Sequence, residues 1–362
     1  MYRFRDQNVA REIVEKIGSI GLNAKLMHVC GTHQDTLVRY GLQELLNQVG
    51  VEIRQGPGCP VCVTTSKEIV EAIALADSGV TVAVFGDMLS VPTRLGSLAD
   101  VKARGGDVRV VYSVEDAVRL SEKHRKVVFM AIGFETTSPT TASVMIDGVP
   151  DSFSILSCHR LLPPALDALF EMGEVEVNGL IQPGHVSAII GMEPYRKISE
   201  KWHLPQVIAG FEPLDLLMAA YMIVRQISEE RAEVENEYRR VVKPEGNPRA
   251  LSMLNRAFVP VDRSWRGFPP IERSALELSA EFHTLNARLV YEDVIVNLPY
   301  VEDELEGCRC GEVLRGLIVS EECPAFGRSC SPQSPMGPCM VSQEGSCNIG
   351  YRYSGMTAMG KG

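Results

Sequence analysis

The 362-residue sequence has no apolar run of the ~18 residues a membrane-spanning helix requires, which excludes a transmembrane span. No apolar block follows the charged N-terminus, and no signal peptide is expected. A basic stripe is missing too: 36 Lys+Arg against 46 Asp+Glu leave a net charge of −10 and a pI near 5.3. That balance argues against a nucleic-acid partner. Neither a GxxxxGK loop nor a strand-borne GxGxxG is found, so nucleotide binding is unsupported. There is no internal repeat and no low-complexity tract. The single CxxC has no second CxxC to complete a zinc ribbon, and no histidine follows residue 283.

What the sequence does contain is cysteine, ten residues of it, six between Cys308 and Cys347. In a chain without an export signal, a cytoplasmic one by expectation, these suit metal or redox chemistry better than structural disulfides. Hydrophobic and charged fractions of 45% and 23% are those of a folded protein, and the length fits two or three domains at roughly 150 residues each.

Short apolar runs at 25–29, 51–54, 81–85, 108–112, 127–132, 153–157, 180–181 and 206–209 alternate with amphipathic helical patterns. This predicts an α/β protein with two small parallel-sheet lobes facing a central cleft, plus a helical C-terminal domain, with a single larger sheet as the alternative to two lobes. Four regions are expected. A helix within 1–23 packs on the C-terminal domain, one lobe covers 24–134 and a second covers 135–225. Residues 226–362 hold a connecting helix, continuing the pattern that begins at Glu212, and the cysteine-rich domain. The last 60 residues carry too little apolar material to fold unaided and call for a metal staple.

Reactive side chains fall where strands give way to loops: Cys30 and His33, Cys59 and Cys62, Asp87, Glu135, His159, His185 and Glu212. Ligands of open α/β sheets bind at such strand ends. In Met27-His-Val-Cys-Gly-Thr-His33 a thiol and an imidazole make either an activated nucleophile or half of a metal site. In Gln55-Gly-Pro-Gly-Cys-Pro-Val-Cys62 the pair can cycle as a disulfide, contribute a metal ligand, or be inert. Thr64 is expected to cap the helix starting near Ser66, whose N-terminus would lower a thiol pKa. Gly133-Phe-Glu-Thr-Thr137 leads into a helix capped at Thr137 or Ser138, and Gln182-Pro-Gly-His185 presents an imidazole. The irregular C-terminal spacings favour a cubane iron–sulfur cluster over zinc or free thiols.

Together these stretches, with Cys310-Gly-Glu-Val-Leu-Arg-Gly316 and the tail Gly337-Pro-Cys-Met-Val-Ser-Gln-Glu-Gly-Ser-Cys347, resemble the HypD family of nickel–iron hydrogenase maturation factors along essentially the whole chain. Gln34 stands where that family usually has glutamate. The resemblance implies a scaffold for assembling an Fe(CN)2CO group with a HypC-type chaperone and a HypE-type cyanide donor, monomeric apart from these complexes. It makes Cys30 the iron-binding thiolate, with His33 beside it and Glu135 and His185 in the same site. Cys59 and Cys62 become a redox pair that also lies in reach of the iron. The cluster ligands, at spacings of 12, 6 and 16 residues, become Cys310, Cys323, Cys330 and Cys347 of a 4Fe-4S cluster, which leaves Cys308 and Cys339 as extras, with Cys339 the alternative ligand. A cluster-dependent thiol–disulfide oxidoreductase and a binding module with a structural cluster are the competing classes.

Overall fold

The computed structural model describes residues 5–359, and for 354–359 the backbone alone; Met1–Phe4 of the charged N-terminus lie outside the described residues. All eight expected strands form: β1 (Ala24–His28), β2 (Val51–Gln55), β3 (Thr81–Phe85), β4 (Val108–Val111), β5 (Val127–Gly133), β6 (Phe153–His159), β7 (Gly179–Pro183) and β8 (Gln206–Ala209). A ninth, β9 (Val234–Asn236), and an antiparallel hairpin of β10 (Phe258–Ser264) and β11 (Pro270–Leu278) complete the sheets. The parallel α/β expectation is met.

The strands divide between two parallel sheets, ordered β2-β1-β7-β8-β9 and β4-β3-β5-β6. The chain starts the first sheet, leaves to build the second, and returns to finish the first. The lobes therefore do not part near residue 135. β5 pairs with β6 from Val127↔Phe153 to Gly133↔His159, and β7 pairs with β1 through Met27↔Leu180. Every residue of β5, β6 and β7 is buried. Uniformly apolar strands carry no mark of which neighbour they choose, so the partition is set by crossover geometry.

Two further expectations are corrected. The helix Gln7–Ile20 turns Ile13 and Ile17 onto the helix Pro213–Ser228, in one core with Leu216, Ala220 and Ile223, not onto the C-terminal domain. The long connecting helix stops at Ser228, and Glu230 adopts a left-handed φ of 54°. Arg231 then pairs with Glu229, Glu233 and Glu235, so the charges read as a helix surface instead tie down the turn into β9.

The second sheet is joined to the hairpin through Arg160↔Ala275 and Leu161 N–H to the Ser274 carbonyl at 2.8 Å. One apolar core runs from Val29, Cys59 and Cys62 through Met130 and Phe134 to Trp265 and the C-terminal cysteines. Among the described residues no helix is long and apolar enough to cross a membrane.

Candidate functional site

Cys30 follows β1 and is the N-cap residue of the helix Gly31–Arg39, without a capping bond from its side chain. The next strand brings the CxxC turn to it. The Gly56 N–H donates to the His28 carbonyl at 2.8 Å, and a Cβ on Gly58 would lie 2.2 Å from the Val29 carbonyl carbon and 2.3 Å from the Cys30 nitrogen. Only glycine permits that approach. Gly58→Ala is expected to lift the CxxC loop off Cys30, costing about 3 kcal/mol in denaturant unfolding, with severalfold faster alkylation of Cys30. An unchanged alkylation rate would contradict this packing.

Cys59 and Cys62 are joined as a disulfide and neither side chain reaches solvent. With both thiols consumed, neither is a metal ligand in this state. The Cys62 N–H donates to Cys59 Sγ at 3.2 Å in the turn Pro60–Val63. The following helix, Ser66–Asp77, is capped by Thr65 and not Thr64, through a reciprocal box with Glu68.

Burial pushes the Cys30 thiol up to about 11; the His33 and Thr32 N–H groups pull the other way, and the Glu344 charge adds to the rise. Glu344 belongs to the C-terminal tail, which Asp87 holds by accepting from Ser342 Oγ at 3.0 Å and the Gln343 N–H at 3.1 Å. The strand-end role expected of Asp87 is thus an anchoring one.

His33 is fully buried, and burial lowers it to about 3. Neither of its ring nitrogens closes a hydrogen bond of sound geometry, although the backbone of Ala209 and Gly210 is near enough to favour its protonated form. His28 is buried, its Nε2 2.7 Å from Gln34 Oε1 and its Nδ1 unpartnered among the described residues. An amide at position 34 makes that contact without a carboxylate.

The exposed ring of His185 stacks on Phe211 at 4.0 Å, and Phe211 also meets His33 at 5.1 Å. Phe211, overlooked in the sequence because it bears no reactive group, packs against both imidazoles. His159 is a core residue bonded to Thr141 Oγ1 at 3.0 Å. Glu212 sits at the surface against Arg5. Glu135 is buried; its Oε1 accepts from the Leu162 N–H at 3.0 Å, and its Oε2 is unpartnered. Burial raises this carboxyl to about 7. It lies at the inner end of a groove of about 1110 Å³ between the helices Leu162–Glu171 and Glu193–Trp202 and the β10–β11 hairpin. Tyr195 is buried, its hydroxyl accepting from Ser187 Oγ at 3.2 Å, and burial pushes its phenol well above the usual range. It too escaped the sequence reading.

All six C-terminal cysteines line one cavity with Val313, Ala325, Phe326, Met336 and Met340. Cys310 Sγ lies 2.8 Å from Cys339 Sγ, and Cys308 also reaches Cys310. The Met336 N–H donates to Cys330 Sγ at 3.4 Å. Among the described residues no three His, Cys, Asp or Glu side chains converge as a single ion would need.

The family model described as "HypD: Hydrogenase formation hypA family" matches residues 7–354. The chain belongs to the HypD family. It is 42% identical over 362 residues to a putative hydrogenase expression/formation protein of Methanocaldococcus jannaschii, covering 98% of this chain and 99% of the relative. It is 40% identical to the hydrogenase maturation factor HypD of Cupriavidus necator, across 97% and 96% of the two chains. The hydrogenase maturation factor HypD of Escherichia coli is also 40% identical, across 91% and 89%.

Proposed function

We propose that this protein is a hydrogenase maturation scaffold that receives iron at Cys30 and supports assembly of the Fe(CN)2CO group there. The observation that carries the reading is the setting of Cys30: a free thiol at the end of β1, against whose backbone the loop of a buried disulfide rests, with the buried His33 three residues on. A soft thiolate suits iron carrying cyanide and carbonyl ligands. The small HypC-type chaperone and the HypE-type cyanide donor are the partners this chemistry requires, and free thiols suit a cytoplasmic setting. The Cys59–Cys62 pair, once reduced, would supply two electrons for releasing cyanide from a thiocyanate-like donor.

The donor set in the C-terminal cavity fits a 4Fe-4S cluster: thiols alone, in an apolar pocket, more numerous than four. Bound there, the cluster would supply single electrons. Cys310 reaches both Cys339 and Cys308, so contact alone does not choose among these three, and we keep Cys310, Cys323, Cys330 and Cys347 as the ligands with Cys308 and Cys339 as extras. On this assignment Cys310→Ala loses iron and sulfide from the reconstituted protein and Cys308→Ala keeps them; the reverse pattern would overturn it.

A dithiol that attacks protein disulfides in trans needs an accessible sulfur, and both sulfurs of this pair are sealed. This favours a scaffold over a thiol–disulfide oxidoreductase. Infrared spectroscopy of the protein co-purified anaerobically with its small chaperone tests the proposal. Cyanide and carbonyl stretching bands are expected, and a fully formed complex without them would sink it.

A further inference from the structure

Arg266 is 1% exposed and lies between the CxxC turn and the C-terminal cysteines. Its N–H donates to the Val63 carbonyl at 2.9 Å and its Nε to the Thr64 carbonyl at 3.1 Å, both just beyond Cys62. On its other side, a Cβ on Gly267 would stand 2.4 Å from Gly311 Cα, so the chain here presses backbone to backbone beside Cys310. The preceding residue is locked as well, Trp265 stacking on Phe134 and donating to Ser274 Oγ at 3.0 Å. Nη2 of Arg266 is buried and has no partner among the described residues. Its side-chain hydrogen bond goes to a carbonyl, not to a carboxylate.

A buried guanidinium without a counter-ion is costly. A clamp on two carbonyls could be made by a neutral donor, so the charge itself calls for a reason. The elements on either side both carry cysteines. We propose that Arg266 is a positioning residue for the Cys59–Cys62 couple, clamping its turn to the C-terminal cysteine domain and holding a positive charge where reduction builds negative charge. This rests on the redox reading of that pair given above.

Reduction breaks the S–S bond with two electrons and two protons to give two thiols, or with one proton fewer when one remains a thiolate. In a water-excluded core that thiolate is stabilised by a nearby cation. Stabilising the reduced form makes the disulfide easier to reduce.

The test uses the full chain equilibrated in mixtures of reduced and oxidised dithiothreitol, which gives up two electrons and two protons as its own ring closes. Alkylation and mass spectrometry then read Cys59 and Cys62. R266M and R266Q are expected to lower the reduction equilibrium constant at least about tenfold, equivalent to ~30 mV. R266K keeps the charge but loses the fork; it is expected to stay within about threefold of the parent while melting earlier. A folded R266M or R266Q with the parent's constant overturns the proposal, and so does an R266K shifted tenfold. If the neutral variants do not fold, R266K decides alone on those terms. A parent disulfide that no dithiol reduces in the folded chain overturns the redox reading itself, whatever Arg266 does.

Discussion

Replacing Cys30 by alanine is expected to abolish iron loading, lowering retained iron by about 100-fold or more, with loss of any cyanide and carbonyl infrared bands. Loss of residues that merely orient a ligand costs 10–100-fold in metal affinity, and removing the ligating sulfur itself should exceed that. While Cys59 and Cys62 are bonded to one another neither can substitute, and the C-terminal free cysteines line a cavity of their own. The fold should be nearly indifferent. The Cys30 side chain makes no capping bond to the helix it precedes, so circular dichroism and melting should stay close to the parent. The pH dependence has a definite sign. A thiol near 11 is protonated at neutral pH, and iron must displace that proton. Uptake should therefore strengthen as pH rises towards 11 in the parent and lose that dependence in Cys30→Ala. Iron retention in the variant would remove Cys30 from the site.

The second large effect is on stability. Arg160, 1% exposed, donates from Nη2 to Glu68 Oε2 at 2.7 Å and to the Ser264 carbonyl at 3.1 Å, and from Nη1 to the Cys158 carbonyl at 3.2 Å. It joins β6, the hairpin and the helix that follows the CxxC turn. Burial opposes the Glu68 charge, but Arg160 and Arg288 with the Thr65 N–H outweigh it and hold the carboxyl down to about 2. Arg160→Met leaves that carboxylate buried, with Arg288 Nη2 at 3.8 Å. Breaking one partner of a buried pair costs about 3–5 kcal/mol, and melting should fall on the order of 10 °C. Because the folded Glu68 pKa is depressed, its stabilisation is present above the unfolded value near ~4.3 and is lost as pH falls towards about 2. The gap between parent and variant should narrow across that window. A melting difference under about 2 °C at neutral pH would show that Arg288 alone supports the carboxylate. Cys158 is buried beside this network: burial pushes its thiol far up, and the adjoining Glu68 charge adds to the rise.

Much of the architecture was legible in the sequence because its signals are local. Each of the eight strand runs is a compact apolar segment bounded by turn residues, and Gly58 and the CxxC announce a tight turn by composition alone. β9 escaped because three residues, two of them polar, sit inside a charged stretch whose spacing suits a helix. The N-terminal helix was misplaced because an apolar stripe of Ile13 and Ile17 states that a face is covered without stating by what.

Sequence alone determined eight of the eleven strands, the family, and the set of residues able to do soft-metal and redox chemistry, since each depends on residue types within a few positions of one another. Tertiary structure decided which of them meet. It interleaved the two sheets, packed Phe211 against both His33 and His185, brought Cys310 against Cys339, and set Arg266 between the CxxC turn and the cysteine cavity. Those outcomes depend on contacts between residues far apart in the chain, whose choice among equally apolar or equally reactive partners is made by packing and not by local pattern.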